Sequence, residues 1–210
     1  GYKESDPMGG HDPYSSSKGC AELVSSAYRR SFLQEQGVEL ASVRAGNVIG
    51  GGDWADDRLI PDILRSFEKN KPVVIRNPKA TRPWQHALEP LSGYLILAQK
   101  LYENQEDYAE GWNFGPNEKD VKPVDWILDK MITKWPNSSW ELDQNSNPHE
   151  AGFLKLDISK AESKLGWKPV WELSQALDKI IDWHKAWLNK EDMQAVCLAE
   201  IEEYTRDMNK

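Results

Sequence analysis

The sequence predicts an α/β fold, on three observations. Amphipathic helical segments alternate with short runs rich in β-branched and aromatic residues, the pattern of strands joined through helices. The apolar run Leu40 to Ala45 reads as a buried strand that delivers Asn47 to its carboxyl end, where open α/β sheets place their ligands. The long helical patterns, such as the one from about Leu173, each carry an apolar stripe on one side.

The elements follow in order. Residues 13 to 36 read as a helix: Asp12 caps it, Pro13 suits its first turn and Gly37 ends it. Ala21, Val24, Ala27, Tyr28 and Phe32 supply its apolar stripe. After the strand at Leu40 to Ala45, Gly50 to Asp57 is Gly- and Asp-rich and reads as a surface loop. Leu59 to Lys69 is helical and Pro72 to Ile75 a short strand. Leu88 to Glu103 carries Leu91, Leu95, Ala98 and Leu101 at helical spacing. A strand at Trp112 to Phe114 precedes a helix from Val124 to Trp135. Residues 136 to 152 are polar, a loop with one short strand at Trp140. Ser159-Lys160-Ala161-Glu162 has the form of a capping box before Gly166. A last helix runs from about Leu173 with Leu177, Ile180, Ile181, Trp183 and Trp187 on one side.

Composition narrows the function. A net charge of −8 argues against nucleic acid as a main partner, because a phosphate backbone demands basic surface. No apolar run approaches the roughly 18 residues of a membrane span, and no signal peptide is visible. Two distant cysteines, Cys20 and Cys197, suit a reduced cytoplasmic protein. The four histidines are scattered, so no metal site is expected. Of the ten tryptophans, Trp126, Trp135, Trp167, Trp183 and Trp187 fall where core packing explains them. Trp54 and Trp84, in loop-like surroundings, are the better candidates for ligand contact.

The chemistry centres on Tyr14-Ser15-Ser16-Ser17-Lys18. Four-residue spacing stacks a phenol and an ammonium on one helix face. A free tyrosine titrates near ~10, so base chemistry at neutral pH needs about 4 kcal/mol of stabilisation of the phenolate. One exposed ion pair supplies about 1 kcal/mol, so the site must also be desolvated or hold a second cation.

Asp12-Pro13-Tyr14 with Lys18, Ala21 and Glu22, then Arg44-Ala45-Gly46-Asn47-Val48-Ile49-Gly50, then Leu165-Gly166-Trp167-Lys168-Pro169, occur in an order that resembles the extended short-chain dehydrogenase/reductase family. Within it the chain is most similar to the nucleotide-sugar 4,6-dehydratases. Gly51-Gly52-Asp53-Trp54, Arg82-Pro83-Trp84-Gln85-His86 and His149-Glu150-Ala151 look like the members that act on CDP-glucose. The resemblance implies the C-terminal part of a Rossmann-type NAD-binding domain plus a smaller mixed α/β substrate-binding domain. Residues 1–50 would belong to the first, to which the chain returns around 72–103; residues 51–71 and 104–210 would form the second. No Gly-rich phosphate loop of G-x-G-x-x-G spacing occurs, so the chain is expected to be the C-terminal part of a longer enzyme, without turnover alone.

The resemblance also implies roles. Tyr14 would take the proton of the sugar C4 hydroxyl while a hydride passes to NAD; water is then lost across C5 and C6, and the hydride returns to C6. Lys18 would hydrogen-bond the nicotinamide ribose, so Tyr14 and Lys18 are both catalytic and cofactor-binding. Asn47, Arg58, Arg82, His86, His149 and Glu150 would hold the nucleotide-sugar. The competing readings are a turn-forming asparagine for Asn47, solvated arginines for Arg58 and Arg82, and a loop cap for His149 and Glu150. The family's acid/base pair for the elimination lies upstream of the tyrosine helix, and no Asp or Glu here replaces it. A product of deoxysugar and O-antigen biosynthesis, a cytoplasmic location and a homodimer or higher homo-oligomer are implied likewise. The alternatives are an epimerase or reductase of the same family, using the same Tyr14 and Lys18, or a non-catalytic nucleotide-sugar-binding module.

Overall fold

The computed structural model of the chain describes residues 1–10, 12–103, 106–145 and 153–210. Its helices are α1 (Pro13–Tyr28), α2 (Leu59–Glu68), α3 (Leu88–Tyr102), α4 (Val124–Lys134), α5 (Leu173–Leu188) and α6 (Met193–Met208). Its strands are β1 (Ser42–Ala45), β2 (Asn47–Ile49), β3 (Val73–Ile75), β4 (Thr81–Arg82), β5 (Trp84–His86), β6 (Gly111–Phe114), β7 (Lys122–Pro123) and β8 (Trp140–Leu142). The α/β expectation holds.

The chain divides into two compact units. The first comprises Gly1–Ala45, Leu91–Phe114 and Leu156–Lys168. Its strands β1 and β6 pair in parallel, Ser42 opposite Gly111 through Ala45 opposite Phe114. Parallel neighbours need a long crossover, which is why they lie so far apart in sequence. Its core is Leu97, Trp112, Phe114, Ala161, Leu165 and Trp167. The Trp167 indole also donates to Ser92 Oγ at 2.9 Å. Gly166 (φ +67°) makes the left-handed turn that ends one helical segment and swings Trp167 into this core.

The second unit comprises Gly46–Pro90, Gly115–Lys155 and Pro169–Lys210. It holds two parallel pairs, β2 with β5 and β3 with β8, and one antiparallel pair, β4 with β7. Ile60, Ile63, Leu64 and Phe67 of α2 recur at helical spacing and meet Ile127, Leu128 and Met131 of α4 and Leu173, Leu177, Ile180 and Ile181 of α5 in one core.

By contacts, residues 91–114 and 156–168 belong to the first unit, whereas β3 is hydrogen-bonded to β8, and Val73 and Ile75 are buried in the second core. Three expectations about single elements are corrected. The helix expected over 13 to 36 is α-helical only to Tyr28, continuing as a wide π turn (Arg29–Leu33) and a tight 3-10 turn (Gln34–Gln36) before Gly37. The last helix is two. Lys190 takes φ +59° and Asp192 caps a fresh start with bonds from Gln194 N and Ala195 N. Finally, Asp157, not Ser159, caps the segment before Gly166, accepting the Ser159 N–H at 2.9 Å.

Candidate active site

Helix α1 is built to present side chains rather than bury them. Asp12 accepts from Ser15 N (2.9 Å) and Ser15 Oγ (2.6 Å), which fixes the first turn and holds the Asp12 carboxyl below the usual carboxylate range. None of its residues is buried, and Tyr14 is 72 % exposed. Lys18 Nζ stands over the Tyr14 ring, 5.3 Å from the centroid, in cation–π geometry. The expected shared face is therefore present.

Glu22 extends the same four-residue stripe and was not singled out for any role by the sequence. Its carboxylate accepts both sides of the Arg44 fork, Nε at 2.9 Å and Nη2 at 3.0 Å, and the Ser42 hydroxyl at 2.6 Å. Hydrogen bonding to Arg44 holds the Glu22 carboxyl low despite its burial and holds the Arg44 guanidinium high. Arg29 Nη1 adds a bond to Leu40 O at 3.3 Å. A helix without an apolar anchor is thus fixed to β1 by a bidentate ion pair two turns beyond Tyr14. The 14, 18, 22 spacing was the available signal.

Within the second unit, Asn47 opens β2, opposite Trp84 of β5. Gly46 before it must be glycine: an added Cβ would lie 2.2 Å from Pro83 O, the acceptor of the Asn47 N–H. Asn47 is half-buried and its carboxamide makes no hydrogen bond among the described residues. Arg58 is exposed at the N-cap of α2. Arg82 is half-buried on β4, with Nη1 donating to Thr81 O at 3.0 Å. His149 and Glu150 lie outside the described residues.

The three aromatic positions expected at a ligand have the following surroundings. His86, expected at the substrate, is 3 % exposed. Its Nδ1 accepts from Leu88 N at 3.3 Å, its Nε2 lies 3.1 Å from Glu200 Oε1, and Trp171 meets its ring edge-on. β5 is buried along its whole length, so its side chains serve the interior. Trp84 is buried in the second core for the same reason. Trp54 is 45 % exposed but packs against Trp187 (4.5 Å), His184 (5.6 Å) and Trp183 (6.2 Å). Gly51 lets this loop approach, since a Cβ there would fall 2.3 Å from the Trp183 ring.

Near His86 sits a buried carboxylate with no sequence signature of its own. Glu89 is 1 % exposed and accepts from Val170 N (2.9 Å), Trp171 N (2.7 Å) and Tyr204 Oη (2.9 Å). Burial pushes its carboxyl above the usual range, against these bonds and the nearby His86. Its partners stand more than eighty residues away in sequence, and no local pattern encodes that. A cleft of about 390 Å³ in the first unit, lined by Glu22, Arg29, Ser42, Arg44, Glu110 and Lys160 among others, does not include Tyr14 or Lys18. Its charges are largely bonded to one another, as in the Glu22–Arg44 and Glu110–Lys160 pairs.

A Tyr-x3-Lys helix clamped beside a parallel strand pair defines the class of the extended short-chain dehydrogenases/reductases. The chain belongs to the GDP-mannose 4,6 dehydratase family, whose model matches residues 1–180. It is 60 % identical over 210 residues to a CDP-glucose 4,6-dehydratase of Salmonella typhimurium, covering 97 % of this chain and 58 % of that protein. It is 26 % identical over 193 residues to UDP-glucuronic acid decarboxylase 1 of Arabidopsis thaliana, covering 89 % of this chain and 41 % of that protein. Among solved structures, dTDP-glucose 4,6-dehydratase from Bacillus anthracis in complex with NAD superposes with a TM-score of 0.71 at 20 % identity, over 88 % of this chain and 55 % of that one. These neighbours share the Rossmann-type fold. The chain thus spans between 41 % and 58 % of the length of these relatives. Among the described residues no helix is long and apolar enough to cross a membrane.

Proposed function

We propose that this protein removes water from CDP-glucose to give CDP-4-keto-6-deoxyglucose, with NAD as a recycled cofactor. The observation that carries the reading is the 60 % identity to the Salmonella CDP-glucose 4,6-dehydratase over 210 residues, a stretch that includes the Tyr14–Lys18 helix. The exposed phenol and ammonium on one face of α1 fit the nicotinamide-ribose end of a dinucleotide, because both can bond ribose hydroxyls from one side. NAD, when bound, accepts and returns a hydride. Tyr14 moves the proton of the sugar hydroxyl, Lys18 keeps positive charge beside the phenol, and the Glu22–Arg44 clamp holds the helix that carries both. Asn47, Arg58, Arg82, His149 and Glu150 bind the nucleotide-sugar. His86 acts from the interior as a positioning residue for β5.

The same reading places the reaction in the cytoplasm, in deoxysugar and lipopolysaccharide (O-antigen) synthesis. It makes the protein a homodimer through the exposed apolar residues Leu23, Val24, Tyr28 and Phe32 of the α1 segment and Leu91, Leu95 and Tyr102 of α3. Incubation of the full-length protein with CDP-glucose and NAD, followed by mass spectrometry, tests the function. Loss of one water from the sugar nucleotide with NAD unconsumed supports it. An isomer of unchanged mass points to an epimerase, stoichiometric nicotinamide turnover to a reductase, and binding without product to a non-catalytic module.

A further inference from the structure

Lys18 stands between two candidate partners on one face of α1: Tyr14 one turn before it and Glu22 one turn after. Helical side chains lean toward the N-terminus. The Lys18 ammonium accordingly reaches back over the Tyr14 ring, 5.3 Å from its centroid. The same lean would bring an unbound Glu22 carboxylate to Lys18, and opposite charges at this spacing attract on an exposed helix face. They do not pair here. Among the described residues the Lys18 ammonium makes no ion pair and no hydrogen bond.

Glu22 is withheld by β1. Arg44 occupies its two oxygens through Nε (2.9 Å) and Nη2 (3.0 Å), and the Ser42 hydroxyl donates to the second at 2.6 Å. The side chains of Arg44 and Glu22 are only 23 % and 18 % exposed, whereas Tyr14 and Lys18 are open to solvent. The other charged groups on α1 and on the segments beside it are also engaged. Asp12 accepts from Ser15 N and Oγ, Glu4 from Asn113 N (2.9 Å) and Asp6 from Lys3 N (2.8 Å), while Arg29 donates to Leu40 O (3.3 Å). Glu22 is therefore the carboxylate that loss of Arg44 would release, one turn from Lys18.

We propose that Arg44 is a positioning residue that acts through charge: by holding Glu22, it keeps the Lys18 ammonium for Tyr14. Without Arg44 the ammonium would turn to Glu22, and its charge would be neutralised away from the phenolate that it stabilises. The strand thus guards the phenol–ammonium pair as well as anchoring its helix. The inference rests on the roles given above to Tyr14 and Lys18, and it names the residue that keeps them together.

The test uses the full-length protein and reads Tyr14 directly. Tyrosinate absorbance is titrated against pH, with Tyr14→Phe in each background as the blank, and kcat/KM for CDP-glucose is measured over the same range. Arg44→Gln should move the Tyr14 titration and the rise of kcat/KM upward together by about half to one pH unit, the scale of one ion pair near a surface. At neutral pH that lowers kcat/KM about three- to tenfold. Adding Glu22→Gln removes the competing carboxylate and should bring both curves back toward the parent, although the clamp is then broken on both sides. In a Lys18→Met background Arg44→Gln should move the titration little, because no ammonium is left to divert. A purely mechanical clamp would instead lower the melting midpoint in the single and double variants alike and leave the Tyr14 titration in place; that result overturns the proposal. So does a shift that Glu22→Gln fails to reverse, or one of equal size without Lys18. Ser42→Ala frees one Glu22 oxygen without changing any charge and should shift the titration the same way by less. It carries the test where Arg44→Gln does not fold, and an unmoved titration there overturns the proposal too. A protein that shows these shifts but does not dehydrate CDP-glucose keeps the guard and overturns the substrate reading instead.

Discussion

Replacing Glu89 by leucine should destabilise the second unit by about 3–4 kcal/mol. The substitution preserves apolar bulk but takes the acceptor away from Val170 N, Trp171 N and the Tyr204 hydroxyl. A buried donor left without a partner costs about 1–3 kcal/mol. Trp171 and Tyr204 are buried and carry the full penalty, whereas Val170 is half-buried and water reaches part of its surroundings. Against this, the variant removes a carboxylate whose own burial is unfavourable. Urea unfolding of the protein, followed by tryptophan fluorescence, gives the loss as a shift in midpoint at constant slope. Trp171 touches both His86 and Tyr204, so it reports the site directly. Tyr204→Phe should cost about 1 kcal/mol, and the double variant less than the sum, with a coupling of about 1 kcal/mol. A Glu89→Leu midpoint within 1 kcal/mol of the parent, or strict additivity with Tyr204→Phe, would refute the argument that this carboxylate ties α3 to the Val170–Trp171 segment and α6.

Four further outcomes are expected. Tyr14→Phe should lower the turnover of the full-length enzyme by about 10²–10⁴-fold, the range for a lost proton-transfer group, while leaving its circular dichroism unchanged because the side chain is exposed. Glu22 is held low by Arg44, so its contribution to stability is fully present above the unfolded-state value of about 4.3 and is lost as pH falls through the lower folded value; Glu22→Gln should therefore flatten the stability profile below about pH 4.5. Gly51→Ala places a methyl carbon against the Trp183 ring and should lower the melting midpoint and shift the fluorescence of the Trp54 cluster. If the proposed dimer forms through this face, Leu95→Asp on the exposed side of α3 should yield a monomer in sedimentation experiments without loss of helix content.

Several features were legible locally because local chemistry determines them. Asp12 and Pro13 set the start of α1, the four-residue step puts Tyr14 and Lys18 on one face, and the α2 stripe Ile60, Ile63, Leu64, Phe67 names its own buried side. Backbone dihedrals and helical periodicity act over a few residues, so a sequence window contains their causes. The break between α5 and α6 has no local signature, because Asp192 is an ordinary acidic residue until its side chain accepts two backbone N–H groups. His86 and Trp84, in an Arg- and Pro-containing stretch, read as ligand contacts, yet β5 is buried from end to end. Polar character in the flanking residues did not report what would cover the strand.

By itself the sequence determined the α/β alternation, the capped helix with its phenol–ammonium stripe, and the order of motifs that marks the family. Only the tertiary structure decided that Glu22 clamps Arg44 and that Glu89 gathers donors from two distant segments. Such pairings depend on which strands lie side by side and on what excludes water from them. Both are properties of the packed chain, and no window of neighbouring residues contains them.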